Sequence, residues 1–212
     1  MLYLFWYFGT NNRWRKNYVQ KVETNAEKEA FKEIWRKIAA EKKFTFEEEE
    51  ETEKFLFWEG DTPIGTMEFV PYNPTVFTTV ENEFPFSSLP EIRNNKGKVW
   101  EVDKVGFLPE YRKKGYLKWI IDCLMYHYEL HQHEYSICLF EYKFYRLLRI
   151  FFKKYPMQQV GEPFVVKGEI DPSVPAIIHI PTVYKIYCEQ KSGIYKNKND
   201  EYISLVVFCL FI

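Results

Sequence analysis

The chain has 212 residues and a formal net charge of −1, and 46% of its residues are hydrophobic. A chain of this length forms one domain, or one domain with a small extension, and it can bury a sizeable core. The near-neutral charge argues against general electrostatic binding of nucleic acid. The four cysteines lack C-x-x-C spacing, which predicts reduced thiols in an intracellular, cytoplasmic protein.

Both ends of the sequence are apolar, but each apolar run is shorter than the roughly 20 residues that span a bilayer. The basic residues near the N-terminus follow the apolar run, whereas a secretory signal has them before it. We therefore predict no membrane span. Residues 1–19 are interpreted as an N-terminal extension containing a strand, and residues 20–182 as the main domain. Residues 183–212 are interpreted as a C-terminal extension whose strands join the same domain or a homodimer contact.

The first predicted element is an amphipathic helix. Thr24 stands three residues before Glu27, which is the spacing of a capping box at a helix N-terminus. Apolar residues then recur at helical spacing, at Phe31, Ile34, Trp35, Ile38 and Ala39. The acidic run of residues 47–51 is interpreted as a solvated loop or helix face. Residues 54–72 predict a hairpin of two strands around a Gly-Asp-Thr-Pro turn.

The second half of the chain alternates strands and helices. Residues 71–98 contain several prolines and predict a long irregular connection, a kind of segment that is often functional or mobile. The elements predicted after it are strand 98–108, helix 115–131, strand 135–140, helix 142–155, and strands 163–168 and 176–187. A strand-helix-strand unit predicts a parallel crossover, and the hairpin makes the sheet mixed. The predicted fold class is therefore α/β, with a twisted mixed central sheet flanked by helices.

A basic turn separates the strand at residues 98–108 from the following helix. A helix N-terminus exposes free backbone N–H groups and the positive end of the helix dipole, so it attracts phosphate. Gly115 removes the side chain that would keep a phosphate away from the backbone, and Arg112, Lys113 and Lys114 add positive charge. Residues 112–117 are therefore a candidate phosphate or pyrophosphate site. The alternative is a solvated basic turn whose glycine merely starts the helix.

This turn resembles the pyrophosphate-binding motif Arg/Gln-x-x-Gly-x-Gly/Ala of the GCN5-related N-acetyltransferase (GNAT) superfamily. Leu117 departs from the motif, because the family prefers glycine or alanine there. The order of elements across residues 20–180 is also similar to the family's. The resemblance implies a GNAT-like acyl-CoA N-acyltransferase fold that uses acetyl-CoA or another acyl-CoA as co-substrate. It implies cofactor contacts from Val105, Gly106, Phe107, Arg112, Lys113, Lys114, Gly115, Tyr116 and Leu117.

A narrower resemblance covers residues 99–115. It is similar to the Trp-Glu-x-Ser-Arg stretch of acyl-homoserine-lactone synthases and long-chain N-acyl amino acid synthases, a branch of the same superfamily. Trp100 and Glu101 match its Trp-Glu, whereas Asp103 and Lys104 replace its Ser-Arg. The branch often takes its acyl group from acyl carrier protein, a second partner that the resemblance implies.

Three functions stay open from the sequence. We favour an N-acetyltransferase acting on a small-molecule or peptide amine, because that activity is the commoner one in the superfamily. A long-chain acyl-carrier-protein-dependent N-acyl amino acid or autoinducer-type synthase is the first alternative. A non-catalytic acyl-CoA-binding or interaction module with this fold is the second.

Acyl transfer to an amine needs a neutral nucleophile, a polarised thioester carbonyl and a protonated leaving thiol. Glu101 and Asp103 share one strand face by period-two alternation, and either carboxylate could accept the proton of the ammonium group. Family position favours Glu101, and an ion pair within the sheet is the alternative role for each. Phe152 occupies the family's usual tyrosine position, so Tyr145 is our candidate for protonating the thiolate.

Three histidines cluster late in the helix at residues 115–131 and just after it. His127 and His131 are i, i+4 neighbours, but the surrounding sequence offers no Glu, Cys or Asp arrangement that completes a zinc motif. We therefore predict no metal site, and interpret the histidines as part of a solvent-facing helix end near the negative end of the helix dipole.

Overall fold

The computed structural model describes residues 15–16, 18–44, 51–75, 79–151, 153 and 155–191. The strands predicted before residue 15 and after residue 191 lie outside the described residues and stay predictions, as does most of the acidic run. Among the described residues, no helix combines the length and the apolarity needed to cross a membrane.

Helices and strands alternate along the described chain. The strands are β1 (Arg15–Lys16), β2 (Val19–Lys21), β3 (Glu53–Glu59), β4 (Thr62–Pro71), β5 (Val99–Phe107), β6 (Tyr135–Glu141), β7 (Met157–Gln159) and β8 (Ser173–His179). The helices are α1 (Asn25–Lys42), α2 (Thr79–Glu83), α3 (Pro90–Arg93), α4 (Leu117–His131), α5 (Tyr142–Phe151) and α6 (Ile180–Lys191). Single 3₁₀ turns occupy Phe86–Ser88 and Pro109–Tyr111.

The described strands form one mixed sheet in the order β1-β2-β3-β4-β5-β6-β8-β7. Strands β5 and β6 pair in parallel, as the strand-helix-strand pattern predicts, and the other neighbouring strands are antiparallel. The predicted mixed sheet flanked by helices is confirmed. The hairpin prediction is confirmed by β3 and β4, whose connection places Gly60 at a φ of 58°.

Helix α1 forms as its sequence predicts. The Thr24 hydroxyl accepts from the backbone N–H of Glu27 at 3.2 Å, and the Glu27 carboxylate accepts from the backbone N–H of Thr24 at 2.8 Å. This reciprocal pair satisfies two of the N–H groups that a helix end leaves free. The predicted apolar stripe is buried in full, and it packs on Leu56 of β3 and on Leu108.

The two faces of the sheet carry different layers. On one face, which we call the α1 face, α1 and the segment at residues 79–93 cover the side chains of Leu56, Val99 and Ile137. On the other, the α4 face, helices α4, α5 and α6 cover the alternate side chains in a larger core. Members of that core include Phe55, Phe69, Val102, Ile120, Leu124, Cys138, Tyr145, Ile180 and Val183. Because side chains alternate along a strand, the two layers follow directly from the sequence pattern.

Three predicted elements differ from the structure. The connection at residues 71–98 contains α2, a 3₁₀ turn and α3, so it is more regular than predicted. Residues 163–168 form no strand beyond an isolated bridge between Phe164 and Ser173. The strand predicted over residues 176–187 ends at His179 and gives way to α6, whereas the predicted division of the chain into a main domain and two extensions stays a prediction. Pro181 lies in the first turn of α6, where its missing N–H costs no hydrogen bond.

Candidate functional site

Strands β5 and β6 part beside the candidate catalytic residues. Their parallel ladder contains three pairs, from Val99 with Tyr135 to Glu101 with Ile137. Beyond Glu101, β5 continues to Phe107 along β4, whereas β6 continues along β8. The two strands therefore diverge beyond Glu101, and the stretch of β5 that holds residues 105–107 borders the opening.

A β-bulge explains why β5 leaves β6. Asp103 pairs with Glu68 and Gly106 pairs with Thr66, so two residues of β5 oppose the single residue between them on β4. Lys104 has a φ of 49°, a left-handed conformation that costs a non-glycine residue on the order of 1–3 kcal/mol. The Thr66 hydroxyl donates to the Lys104 carbonyl at 2.7 Å and holds the bulge in place. Bulges bend the strand that contains them, so β5 turns away from its parallel neighbour.

A buried charge cluster lies at the bulge on the α1 face. The Glu68 carboxylate is fully buried, and it accepts from Lys54 Nζ at 2.8 Å and from Lys104 Nζ. The Thr52 hydroxyl adds a hydrogen bond to it at 2.5 Å. Lys104 Nζ also lies 3.0 Å from the Asp103 carboxylate. Burial opposes the charge of Lys104, but Asp103 and Glu68 outweigh burial and raise the pKa of Lys104 above its usual value.

The two candidate bases differ in their surroundings. Asp103 is paired with Lys104 and its side chain is 38% exposed, so the ion-pair alternative describes it well. Glu101 is 1% exposed and stands in the last ladder pair before the opening. Burial raises the pKa of the Cys138 thiol on β6, and the charges of Glu101 and Asp103 raise it further. Position and burial therefore favour Glu101 as the base.

The basic turn is anchored to α1 through Arg112. Its two terminal nitrogens each lie 2.7 Å from a carboxylate oxygen of Glu41, and its Nε donates to the Phe107 carbonyl at 3.0 Å. The Arg112 hydrogen bonds hold the pKa of Glu41 below its usual range. Arg112 therefore fixes the position of the turn, and the exposed charges predicted there come from Lys113 and Lys114.

Two residues of the turn have a left-handed backbone conformation. Lys113 and Gly115 have φ values of 63° and 85°, so the glycine relieves strain at the second of two left-handed positions. A side chain at Gly115 would meet no atom within 4 Å, and the residue is exposed. Among the described residues, no side chain caps the first turn of α4, which begins at Leu117. Free N–H groups at a helix start can bind an anion, and the anion site at this turn stays a prediction.

Aromatic packing fixes the start of α4. The Tyr116 ring lies 4.3 Å from the Trp119 ring at a tilt of 36°, and the Tyr116 hydroxyl donates to the Glu59 carboxylate. The Phe107 ring at the end of β5 lies 5.9 Å from the Tyr116 ring. The start of the helix, the turn and the end of β5 are thereby held together.

The structure places Tyr145 apart from Glu101. Tyr145 is 3% exposed and packs in the α4-face core, 6.3 Å from the Phe140 ring. The Arg149 guanidinium lies 5.8 Å from the centre of its ring. Glu101 lies two residues after Val99 on β5 and therefore on the α1 face, so the side chains of Glu101 and Tyr145 lie on opposite faces of the sheet. The role of Tyr145 as proton donor stays a prediction.

Sequence reasoning missed Glu68 and its lysine partners. A carboxylate in the middle of the apolar run Ile64–Val70 was a signal, since an acidic residue is almost never fully buried unless it is paired. Its partner Lys104 could not be assigned from the sequence, because the pairing depends on the register and the bulge of β4 and β5.

A mixed sheet whose parallel pair parts at a bulge, followed by a glycine turn and a helix, is the architecture of the N-acyltransferase class predicted from the sequence. The family model described as "Acetyltransferase (GNAT) family" matches residues 17–145, more than half of the chain. The chain therefore belongs to the acetyltransferase (GNAT) family and is an acyltransferase. A comparison with curated protein sequences gives no match.

Solved structures with the same fold include members of the branch suggested by Trp100 and Glu101. FeeM, an N-acyl amino acid synthase from uncultured soil microbes, is 16% identical with a TM-score of 0.61, covering 78% of this chain and 91% of its own. The CoA-dependent acyl-homoserine lactone synthase BjaI is 13% identical with a TM-score of 0.58, covering 83% and 89%. Spermidine N-acetyltransferase from Vibrio cholerae is 11% identical with a TM-score of 0.51, covering 78% and 96%. At these identities the similarity shows the fold.

Proposed function

We propose that the chain transfers an acyl group from acyl-CoA to the amine of a small molecule or peptide, with Glu101 as the general base. The observation that carries this proposal is the position of Glu101, a buried carboxylate at the last ladder pair before β5 and β6 part. The same strand leads directly into the glycine turn at residues 112–117. Membership of the GNAT family supports acyl-CoA as the donor.

The donor would lie along the opening between the strands. Its pyrophosphate would contact the turn, where Lys113, Lys114 and the first N–H groups of α4 supply positive charge. Its pantetheine arm would enter the opening, where β5 lacks a ladder partner on β6 beyond Glu101. Backbone N–H groups at residues 105–107 would polarise the thioester carbonyl, which lowers the barrier to attack by the amine.

In the proposed reaction, Glu101 and Asp103 would have different roles in proton transfer. Glu101 would take the proton of the ammonium group directly or through water, leaving a neutral amine to attack the thioester carbon. The C–S bond then breaks, and the thiolate takes a proton from Tyr145 or from water. Asp103 would keep Lys104 charged instead of acting as the base, because the two form an ion pair.

An acetyl donor is supported by how the α1 face is filled. A long acyl chain would need an apolar lining, and the aromatic side chains of Phe84 and Phe86 are candidates to supply one. Phe86 is fully buried, and it packs with Val80 and Ile92 against Val99 and Ile137. A filled face suits a short acyl group better than a long one.

A long-chain synthase is the second candidate. It is supported by the Trp100-Glu101 match and by the fold shared with FeeM, whose own name is that of an N-acyl amino acid synthase. Acyl carrier protein as donor and a homodimer stay predictions. The cytoplasmic location is supported by a donor of the acyl-CoA type and by the free thiols of Cys123 and Cys138.

A thiol-release assay tests these proposals. The purified chain would be given acetyl-CoA, octanoyl-CoA or octanoyl-carrier protein, each against polyamines, amino acids and a peptide with a free N-terminus. We expect turnover with acetyl-CoA and at least one amine. Activity with octanoyl donors alone would select the synthase, and acyl-CoA binding without turnover on any amine would select the non-catalytic module.

A further inference from the structure

A second polar cluster lies on the α4 face, opposite the face that carries Glu101. Its centre is His127 of α4, which is 0% exposed and stacks on the Phe69 ring at 3.8 Å and 3°. Among the described residues, neither ring nitrogen of His127 has a hydrogen-bond partner. Buried polar groups are normally hydrogen-bonded, so an imidazole with two unsatisfied nitrogens calls for a physical explanation.

Two further ligand-type side chains converge on His127. His131 follows one turn later on the same helix, and Glu53 comes from the first position of β3. His131 Nε2 lies 3.1 Å from Glu53 Oε1, and His127 Nε2 lies 3.7 Å from Glu53 Oε2. One ligand atom from each of the three residues lies within 4.8 Å of the others. In tetrahedral zinc sites with bonds of about 2.0–2.2 Å, the ligand atoms lie roughly 3.3–3.6 Å apart, so small side-chain shifts would complete the geometry.

We propose that Glu53, His127 and His131 bind a zinc ion, with water as the fourth ligand. Two imidazoles and one carboxylate are a donor set that zinc accepts, and three protein ligands leave one position for solvent. The sequence shows the histidine pair without a third ligand, which is why it predicts no metal site. Strand β3 supplies the missing carboxylate from a distant part of the chain.

An aromatic ring packs against the cluster on one side, and a lysine forms an ion pair with its carboxylate. The Trp100 ring packs 4.5 Å from the His127 ring and 4.6 Å from the His131 ring, and it shields the site on the side of β5. Lys21 Nζ lies 2.8 Å from Glu53 Oε1, the same oxygen that faces His131. A zinc ion would replace this lysine contact, so removing the lysine charge should tighten zinc binding.

The bound ion would tie α4 to the start of β3, an interior strand of the antiparallel half of the sheet. It would lie on the face opposite Glu101, and its role would be structural. The inference is therefore independent of the proposed acyl transfer, and either can fail without the other.

Metal titration of the full chain tests the proposal. The purified protein, treated with EDTA and dialysed, would be titrated with ZnCl₂ by calorimetry and with CoCl₂ by visible absorption. We expect one zinc per chain and the intense visible bands of tetrahedral cobalt. A free zinc concentration about a hundredfold above Kd should raise Tm by about 5–10 °C. Absence of stoichiometric binding would overturn the proposal.

Matched variants separate this site from adventitious binding to surface histidines. His131→Ala changes a partly exposed side chain, so the fold should survive, and zinc affinity should fall at least about tenfold. His179→Ala removes a partly exposed histidine elsewhere and should leave the affinity unchanged. Lys21→Met should tighten binding. Equal effects of the two histidine variants, with circular dichroism showing both folded, would overturn the assignment.

Discussion

The two faces of the sheet at β5 differ in the charge state of their buried ionisable groups. On the α1 face, the Glu68 carboxylate is paired with Lys54 and Lys104, and the pKa of Lys104 is raised by the neighbouring carboxylates against the effect of burial. On the α4 face, His127 and His133 lie among aromatic rings, and burial lowers their pKa values to about 2 and about 4. One face keeps its charges by pairing them, and the other keeps its imidazoles neutral.

This difference indicates what each face can do. Paired charges surround the bulge at which β5 leaves its parallel neighbour. Neutral imidazoles cannot stabilise a carboxylate as a cation would, but they are the form of histidine that binds metal. Because Trp100 and Glu101 are neighbours on β5, one strand contributes to both environments.

Glu101→Gln should have the largest effect and would test the charged face directly. Glutamine keeps the size and the hydrogen-bonding capacity of the side chain but cannot act as a base. We expect kcat to fall roughly 10²–10⁴-fold while acyl-CoA affinity changes little. Steady-state thiol release and calorimetric titration with acyl-CoA measure the two quantities separately.

Asp103→Asn is the matched control, since Asp103 lies two residues along the same face. Its ion pair with Lys104 predicts a much smaller loss of kcat than the Glu101 variant shows. If the Asp103 variant abolishes turnover and the Glu101 variant does not, the base is Asp103. If neither variant matters, the amine arrives deprotonated and the enzyme works mainly by holding donor and acceptor together.

Lys104→Met tests the pairing of buried charge. Removing the lysine leaves Glu68 with Lys54 as its remaining cation, and we expect the free energy of unfolding to fall by about 3 kcal/mol. Urea denaturation measures the change. Lys143→Met removes an exposed lysine that lies 2.9 Å from Asp171, and it should change stability little. Similar losses in both variants would contradict the importance of burial at Lys104.

Gly115→Glu extends the comparison to the turn at the end of β5. A carboxylate there would repel the pyrophosphate, so we expect the Kd for acyl-CoA to rise at least about tenfold. Because Gly115 has a φ of 85°, any side chain also adds about 1–2 kcal/mol of backbone strain. Gly115→Ala carries the same strain without the charge. Equal acyl-CoA affinity in the two variants would show that the turn is not part of the acyl-CoA binding site.

Alkaline pH should produce the smallest effect. The pKa of Lys104 is raised above its usual 10.5, so its stabilising contribution is fully present below about pH 10.5 and is lost as the pH rises further. The stability difference between the native chain and Lys104→Met should therefore shrink, by up to about 1 kcal/mol, between about pH 9 and about pH 11. Urea denaturation at both values checks this, and a constant difference would argue against the charged pairing.

Local features of the fold were predictable, because their causes lie within a few residues. The capping box and apolar stripe of α1 place that helix correctly, and the turn at Gly115 has the positive φ that its glycine suggests. The same reasoning failed at α6, where β-branched residues indicated a strand. The position of Pro181 at a helix start was the stronger signal.

Features that depend on strand register were not predictable. Lys104 meets Glu68 only because a bulge shifts the pairing of β4 and β5, and no local pattern in β5 marks that bulge. Glu53 meets His127 and His131 only because α4 packs across the start of β3. In both cases the sequence shows one partner, and the structure alone supplies the other.

The short ladder between β5 and β6 has a mechanical consequence. The sheet consists of two antiparallel plates, which are strands β1 to β5 and strands β6, β8 and β7. Three parallel residue pairs between β5 and β6 join these two plates, whereas β6 and β8 within the second plate share seven pairs. A force that separates the two plates therefore has few hydrogen bonds to break at this seam. In a pulling experiment across it, the molecule should rupture there first, along the line where the proposed donor lies, and a bound donor should raise the rupture force.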